Sequence, residues 1–245
     1  MITLYTEDNY EALSRRTADL IGAEIIHNPS CVLGLATGSS PIGAYGLLIK
    51  AYAEGKLDFS KVKTVNLDEY IGLEGTHNQS YRYFMDTQLF NHVNIDKVNT
   101  NVPDGMAKDI DAAGKAYDEL IASLGGTDVQ LLGIGENGHI GFNEPGEFVA
   151  GTHIVDLSES TILANSRLFN SADEVPKQAI TMGLHGIMSA RKIILIASGA
   201  KKADALYQTI KGPITPEVPA SILQLHPNVV IVADEAACSK LQEEI

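Results

Sequence analysis

The residues best suited to chemistry fall in one short run, Gly135-Glu136-Asn137-Gly138-His139-Ile140-Gly141-Phe142-Asn143-Glu144-Pro145. An imidazole and a carboxylate can exchange a proton near neutral pH, and an amide between them can orient both. Glycines at 133, 135, 138 and 141 allow the sharp turn and close ligand approach that such a site requires. A glycine-rich strand-to-helix turn with a solvated His and Glu would use the same residues. The catalytic reading rests on three functional side-chain types sharing one strand end.

Three further segments carry chemistry at the ends of apolar stretches. Thr37-Gly38-Ser39-Ser40-Pro41 follows Cys31 to Ala36, with Ser40 placed as an N-cap and Pro41 as a first helical residue. Unpaired N–H groups and small hydroxyls at a helix start form an anion cradle, and the same residues serve ordinary capping. The Gly-Lys-Ser/Thr ending of a P-loop is missing, so no nucleotide triphosphate is implied. Thr64-Val65-Asn66-Leu67-Asp68-Glu69-Tyr70 ends in two adjacent carboxylates, which on a strand point to opposite faces. Asp68 is the candidate base, against the plain reading of a turn residue, and Glu69 is assigned a structural role. A free Asp titrates near 3.9, so Asp68 is expected to be ionised at neutral pH.

Ser198-Gly199-Ala200-Lys201-Lys202 places positive charge in a first helical turn, where the macrodipole opposes it and a bound anion would relieve it. Solvated lysines are the alternative. Between Lys115 and Arg167 there is no Lys or Arg, so the glycine-rich run has no cation of its own segment for an anionic ligand. Arg167, the first cation after that gap, could grip phosphate oxygens bidentately or lie on the surface. His77, in Thr76-His77-Asn78-Gln79-Ser80, reads as an exposed helix entry.

The elements that must position these residues alternate along the chain. Apolar strands are predicted at Cys31 to Ala36, Thr64 to Leu67, Val129 to Ile134, His153 to Leu157, Lys192 to Ala197 and Val229 to Ala233. Helices are predicted from an Asp8 to Glu11 cap toward Asn28, and at Ile42 to Glu54, Tyr81 to Leu89, Ile110 to Leu124, Ala200 to Lys211 and Glu235 to Glu243. Asn91 to Gly105 and Asn143 to Gly151 are expected edge or lid segments. Such alternation predicts an α/β fold: a doubly wound, mostly parallel sheet covered by helices on both faces, with ligands at the strands' carboxyl ends.

With 245 residues, 44% hydrophobic and 20% charged, a single α/β domain over residues 1–245 is the simplest organisation. The net charge of −13 argues against nucleic acid or anionic membranes as partners. The N-terminus lacks a basic region followed by an apolar stretch, so a soluble, cytoplasmic protein is expected. Cys31 and Cys238 are expected to be buried free thiols.

In order and along essentially the whole chain, these segments resemble the glucosamine-6-phosphate deaminases of the glucosamine/galactosamine-6-phosphate isomerase family. The resemblance is carried by Leu35 to Pro41, Asn66 to Tyr70, Gly135 to Pro145, Ala164-Asn165-Ser166-Arg167, Gly199 to Ala203 and Leu223-Gln224-Leu225-His226-Pro227. It implies a modified Rossmann-like sheet and conversion of glucosamine 6-phosphate and water to fructose 6-phosphate and ammonia, in amino-sugar catabolism. No cofactor, nicotinamide or metal, is implied. Carried over by residue, the resemblance gives His139 the opening of the sugar ring, with Glu144 and Asn137 tuning it. It gives Asp68 the proton on the carbon bearing nitrogen, and Thr37, Gly38, Ser39, Ser40, Arg167 and Lys202 the phosphate.

Two departures are visible. Some family members carry Asp where this chain has Asn137. Hexameric members activated by N-acetylglucosamine 6-phosphate place basic residues after Asn-Glu-Pro, where this chain has Gly151-Thr152-His153-Ile154-Val155-Asp156. A monomer without that activation is therefore expected, with a low-order oligomer as the alternative. The competing functions are a 6-phosphogluconolactonase-like hydrolase, which needs a water-activating His but no C–H base, and a non-catalytic sugar-phosphate sensor.

Overall fold

A computed structural model describes residues 1–157 and 175–242. Its central sheet contains β1 (Ile2–Glu7), β2 (Val32–Leu35), β3 (Lys63–Asn66), β5 (Thr100–Asn101), β6 (Val129–Gly133), β9 (Lys192–Ala197) and β10 (Val229–Asp234). The strand order is β1-β10-β9-β6-β2-β3-β5, and every pairing is parallel. All residues of β2 and β10 are buried, although successive residues face opposite sides. A strand with both faces covered favours apolar residues at successive positions, which is why these segments are rich in Val, Ile and Leu.

The chain runs outward from β2 through β3 to β5, then returns to lay β6 against the other side of β2. That reversal splays the connections leaving β2 and β6 and opens a crevice at their carboxyl ends. A smaller antiparallel sheet, β4 (Asp68–Tyr70), β8 (Gln178–Thr181) and β7 (His153–Asp156), stands beside the crevice in the order β4-β8-β7. Of its strands only β7 was expected from the sequence. Leu67 is the junction of the two sheets: its N–H donates to Leu35 O at 3.3 Å, and its carbonyl accepts from Met182 N at 2.6 Å.

The helices are α1 (Tyr10–His27), α2 (Ile42–Ala53), α3 (Tyr81–Gln88), α4 (Ile110–Ser123), α5 (Leu184–Met188), α6 (Ala203–Lys211) and α7 (Ser239–Gln242). Two expected caps are corrected. Asn9, not Asp8, caps α1, accepting from Ala12 N at 3.0 Å. Pro41 rather than Ser40 occupies the N-cap of α2, in a helical conformation and without a side-chain cap bond, because Ser39 and Ser40 belong to the preceding turn. The expected helix over Ala200 to Lys211 opens as a 3-10 turn at Ala200–Lys202. The last helix begins four residues later than expected, since Asp234 accepts from Ala237 N and holds the intervening turn. Glu243 lies outside the described residues.

Both cysteines are buried free thiols, and burial pushes Cys31 up to about 12. Among the described residues no helix is long and apolar enough to cross a membrane. At the amino end of the sheet the Asp128 carboxylate accepts from Val32 N at 2.8 Å and pairs with Arg191, fixing where β2 and β6 begin to pair. Asp128 is buried, whereas the Arg191 side chain is 66% exposed. Asp128→Ala orphans a buried N–H and is expected to cost about 2–3 kcal/mol, while Arg191→Met costs below about 1 kcal/mol. Urea unfolding of the two variants beside the parent checks the ordering.

Candidate active site

The carboxyl ends of β2 and β6, with the corner between β3 and β4, enclose a cavity of about 190 Å³. Thr37, Gly38, Ser39 and Ser40 line one side, Asp68 another, and His139, Gly141 and Phe142 a third. Three stretches separated by tens of residues are brought together because each leaves a strand at the same edge of the sheet.

The two adjacent carboxylates have opposite surroundings. Glu69 turns toward the start of α3, where it accepts from Tyr81 N and Arg82 N at 2.9 Å each, and from Tyr70 N at 2.8 Å. It satisfies orphan donors of a helix N-terminus, a stabilising place for an acidic group. Burial nonetheless raises its proton affinity overall, with these three bonds acting against the rise. Asp68 faces the cavity, and no protein group among the described residues donates to its carboxylate. Burial, and secondarily the charge of Glu69, raise its pKa from 3.8 to about 8. The sequence expectation of an ordinary Asp68 carboxylate is thereby corrected: its proton affinity is raised well above the usual carboxylate range. The free-residue value of about 3.9 assumes water around the charge, which the fold removes.

His139 Nδ1 lies 3.1 Å from Glu144 Oε1, close enough for ion pairing but not along a linear hydrogen bond. The other carboxylate oxygen accepts from Asn137 Nδ2 at 2.7 Å, and Asn137 Oδ1 accepts from His139 N at 3.1 Å. Burial pushes Glu144 upward, but the His139 and Asn137 contacts outweigh it, so its carboxyl sits below the usual range. The amide at position 137 thus orders the turn and donates to Glu144, which an ionised Asp could not do. Gly135 is required by packing: the His139 imidazole lies over it, and a Cβ there would overlap the ring. Asn143 Nδ2 anchors the far end of the turn to Ile140 O and Met182 O, each at 2.9 Å.

At the Thr37 side, the N–H groups of Gly38, Ser39 and Ser40 donate to no protein acceptor among the described residues. They remain available to an anion. Lys202 stands half-buried at the neighbouring carboxyl end of β9, outside the cavity lining. Desolvation lowers its pKa, and the charge of Glu136 opposes that effect. Lys201 is 83% exposed and lies 3.7 Å from Glu136. Arg167 lies outside the described residues.

Tyr81 was not anticipated. It lines the cavity from the first turn of α3, its hydroxyl interacts with the Thr37 side chain and lies 3.2 Å from Tyr70 Oη, and its ring stacks on Phe142. Neither periodicity nor spacing marks it, because it reaches the site only through the capping of α3 by Glu69. Two motif residues lie elsewhere. His226 is buried near the amino ends of β9 and β10, with Nε2 2.7 Å from Ala190 O, and His77 is exposed in the turn before α3.

The family described as "Glucosamine-6-phosphate isomerases/6-phosphogluconolactonase" matches residues 6–232. A glucosamine-6-phosphate deaminase of Clostridium perfringens (strain 13 / Type A) is 55% identical over 240 residues, covering 98% of this chain and 99% of that protein. One from Lachnoclostridium phytofermentans is 56% identical over 225 residues, covering 91% and 95%. The solved structure of a monomeric glucosamine-6-phosphate deaminase superposes with a TM-score of 0.92 at 44% identity, over 97% of this chain and 98% of that one. The 6-phosphogluconolactonase of Trypanosoma brucei, at 20% identity and a TM-score of 0.78 over 98% and 99%, shares the fold.

The Asp68 environment has a measurable cost. Its proton is held more tightly in the folded chain than in the unfolded one, so the stability it contributes is complete below about pH 4 and is lost as pH rises to about 8. Within that window the slope is at most about 1.4 kcal/mol per pH unit. Asp68→Asn removes the titration, so its unfolding free energy is expected to exceed that of the parent by a margin that widens from pH 5 to pH 8 and then levels off. Denaturation at a series of pH values checks this; a constant margin would contradict the raised pKa.

Proposed function

The chain belongs to the glucosamine-6-phosphate isomerase/6-phosphogluconolactonase family, and on that premise we propose that its cavity converts glucosamine 6-phosphate and water to fructose 6-phosphate and ammonia. The observation that carries the reading is Asp68: a buried carboxylate without a protein donor among the described residues, set between an uncharged anion cradle and a His–Glu pair. A lactonase requires a water-activating imidazole but has no use for a base aimed at a C–H bond.

The proposed sequence of events follows from the surroundings of each group. The phosphate is held by the free N–H groups and hydroxyls from Thr37 to Ser40, with Lys202 and Arg167 supplying positive charge. The sugar then extends toward His139, which moves a proton at the ring oxygen and opens the pyranose. Glu144, kept anionic by Asn137 and His139, stabilises the imidazolium that forms. The substrate ammonium, entering beside Asp68, favours the ionised carboxylate and acidifies the adjacent C–H. A carboxylate whose intrinsic proton affinity is raised is also a stronger base once ionised. Asp68 takes the proton from the carbon bearing nitrogen, the enolamine is reprotonated at the neighbouring carbon, and water adds to the resulting imine to expel ammonia. The net change is an aldose–ketose isomerisation with hydrolytic loss of the amine.

We further propose a single domain over residues 1–245, acting as a monomer in the cytoplasm in amino-sugar catabolism. The monomeric deaminase of the same fold supports the oligomeric assignment. The absence of Lys and Arg from Gly151 to Asp156 removes an evident intersubunit phosphate site. Hyperbolic kinetics, unmoved by N-acetylglucosamine 6-phosphate, are expected; a sigmoidal curve that this compound shifts to lower substrate would overturn the assignment.

The chemistry is tested by incubation with glucosamine 6-phosphate in deuterated water, following ammonia and deuterium at the reprotonated carbon. The parent is expected to release ammonia and incorporate solvent deuterium, and Asp68→Asn to lose both by at least about a thousandfold, the scale of a positioned general base. Ammonia release at the parental rate in that variant would remove Asp68 from the C–H step.

A further inference from the structure

The start of α2 carries no cap bond from its own N-cap residue, Pro41. What holds it comes from α1. The Tyr10 hydroxyl lies 3.0 Å from Ser39 O and 3.1 Å from Ser40 O, and accepts from Gly43 N at 2.9 Å. One phenolic hydrogen is thus shared between two consecutive carbonyls, while the oxygen satisfies an early helical N–H. The approach is tight: a Cβ on Gly43 would strike the Ser14 side chain and come within 3.1 Å of Tyr10 Cε1.

Tyr10 is not among the residues lining the cavity, whereas Ser39 and Ser40 are. The peptide bonds here are trans, so the C=O of Ser39 and the N–H of Ser40 point in opposite directions across one rigid plane. Drawing the Ser39 carbonyl toward α1 therefore turns the Ser40 N–H away from α1. Holding the Ser40 carbonyl the same way keeps a second oxygen from turning in, where it would repel an anion. The following residue is Pro41, which offers no N–H of its own.

We infer that Tyr10 is a positioning residue for the phosphate end of the site, its hydroxyl fixing the Ser39–Ser40 and Ser40–Pro41 peptide planes so that the Ser40 N–H faces the ligand and the Ser40 carbonyl is turned from it. The inference rests on the reading of Thr37 to Ser40 as the phosphate cradle. It adds a residue from the first turn of α1, outside the cavity, whose effect on the reaction is confined to substrate affinity.

The test uses the full chain, 15N-labelled, as parent and Tyr10→Phe, which removes one oxygen and keeps the ring. Each is titrated with inorganic phosphate while the amide signals of Gly38, Ser39 and Ser40 are followed, and KM, kcat and the thermal midpoint are measured in parallel. In the parent these amide signals are expected to move on titration. In Tyr10→Phe the phosphate Kd and the KM for glucosamine 6-phosphate are expected to rise together by about tenfold, with kcat within about twofold, as for loss of one hydrogen bond that orders a binding group. A lowered midpoint with unchanged Kd and KM would overturn the inference and leave Tyr10 as a helix cap. If phosphate leaves the amides of Gly38 to Ser40 unmoved even in the parent, the cradle reading fails and the inference falls with it.

Discussion

A carboxylate largely withdrawn from water and without a hydrogen-bond donor among the described residues is costly to build into a protein, and the arrangement around Asp68 is organised to bear that cost. Its neighbour Glu69 shares the burial but receives three backbone donors from Tyr70 and the start of α3. The bond network of one residue locks the backbone, and the adjacent residue is left unsatisfied toward the cavity. Leu67 completes the clamp, bonded on one side to β2 and on the other to the small sheet. Asp68 is therefore held by main-chain geometry on both flanks, and its oxygens face the cavity.

The rest of the site suits a chain of net charge −13 for which a phosphorylated substrate is proposed. Fixed peptide dipoles are suited to this, because they attract an anion without the desolvation that a buried cation entails. The free N–H groups after β2 provide such dipoles, and the cations attributed to the phosphate belong to other segments. In the proposed reaction the His139–Glu144 pair, by contrast, sits where positive charge develops during ring opening. The proposed separation of a phosphate end from a proton-transfer end follows from the crevice between β2 and β6, since each strand delivers its own turn to one side.

Much of this was legible in the residues. The continuous apolar runs of β2, β6, β9 and β10 could only be strands covered on both faces, and β9 matches its expected bounds. Glycines and histidine at the end of β6 marked the turn that lines the cavity. The small sheet was not legible: β4 and β8 are three and four residues long and stand in no periodic pattern, and their pairing bridges more than a hundred positions of sequence. The cap of α2 was misplaced because Ser40-Pro41 fits the local rule for a helix start, whereas a tyrosine from α1 supplies the bonding that the rule assigns to Ser40.

The sequence by itself determined the alternation of strand and helix, the candidate reactive groups and the family to which the chain corresponds, because these depend on residue type and local spacing. Tertiary structure alone decided the proton affinity of Asp68, the partners of Glu69 and the placement of Tyr81 and Tyr10 beside the Thr37 to Ser40 turn. Each of those depends on what displaces water or offers a donor from a distant part of the chain. A solvated aspartate titrates alike wherever it stands in a sequence; only packing converts it to a group that titrates near 8.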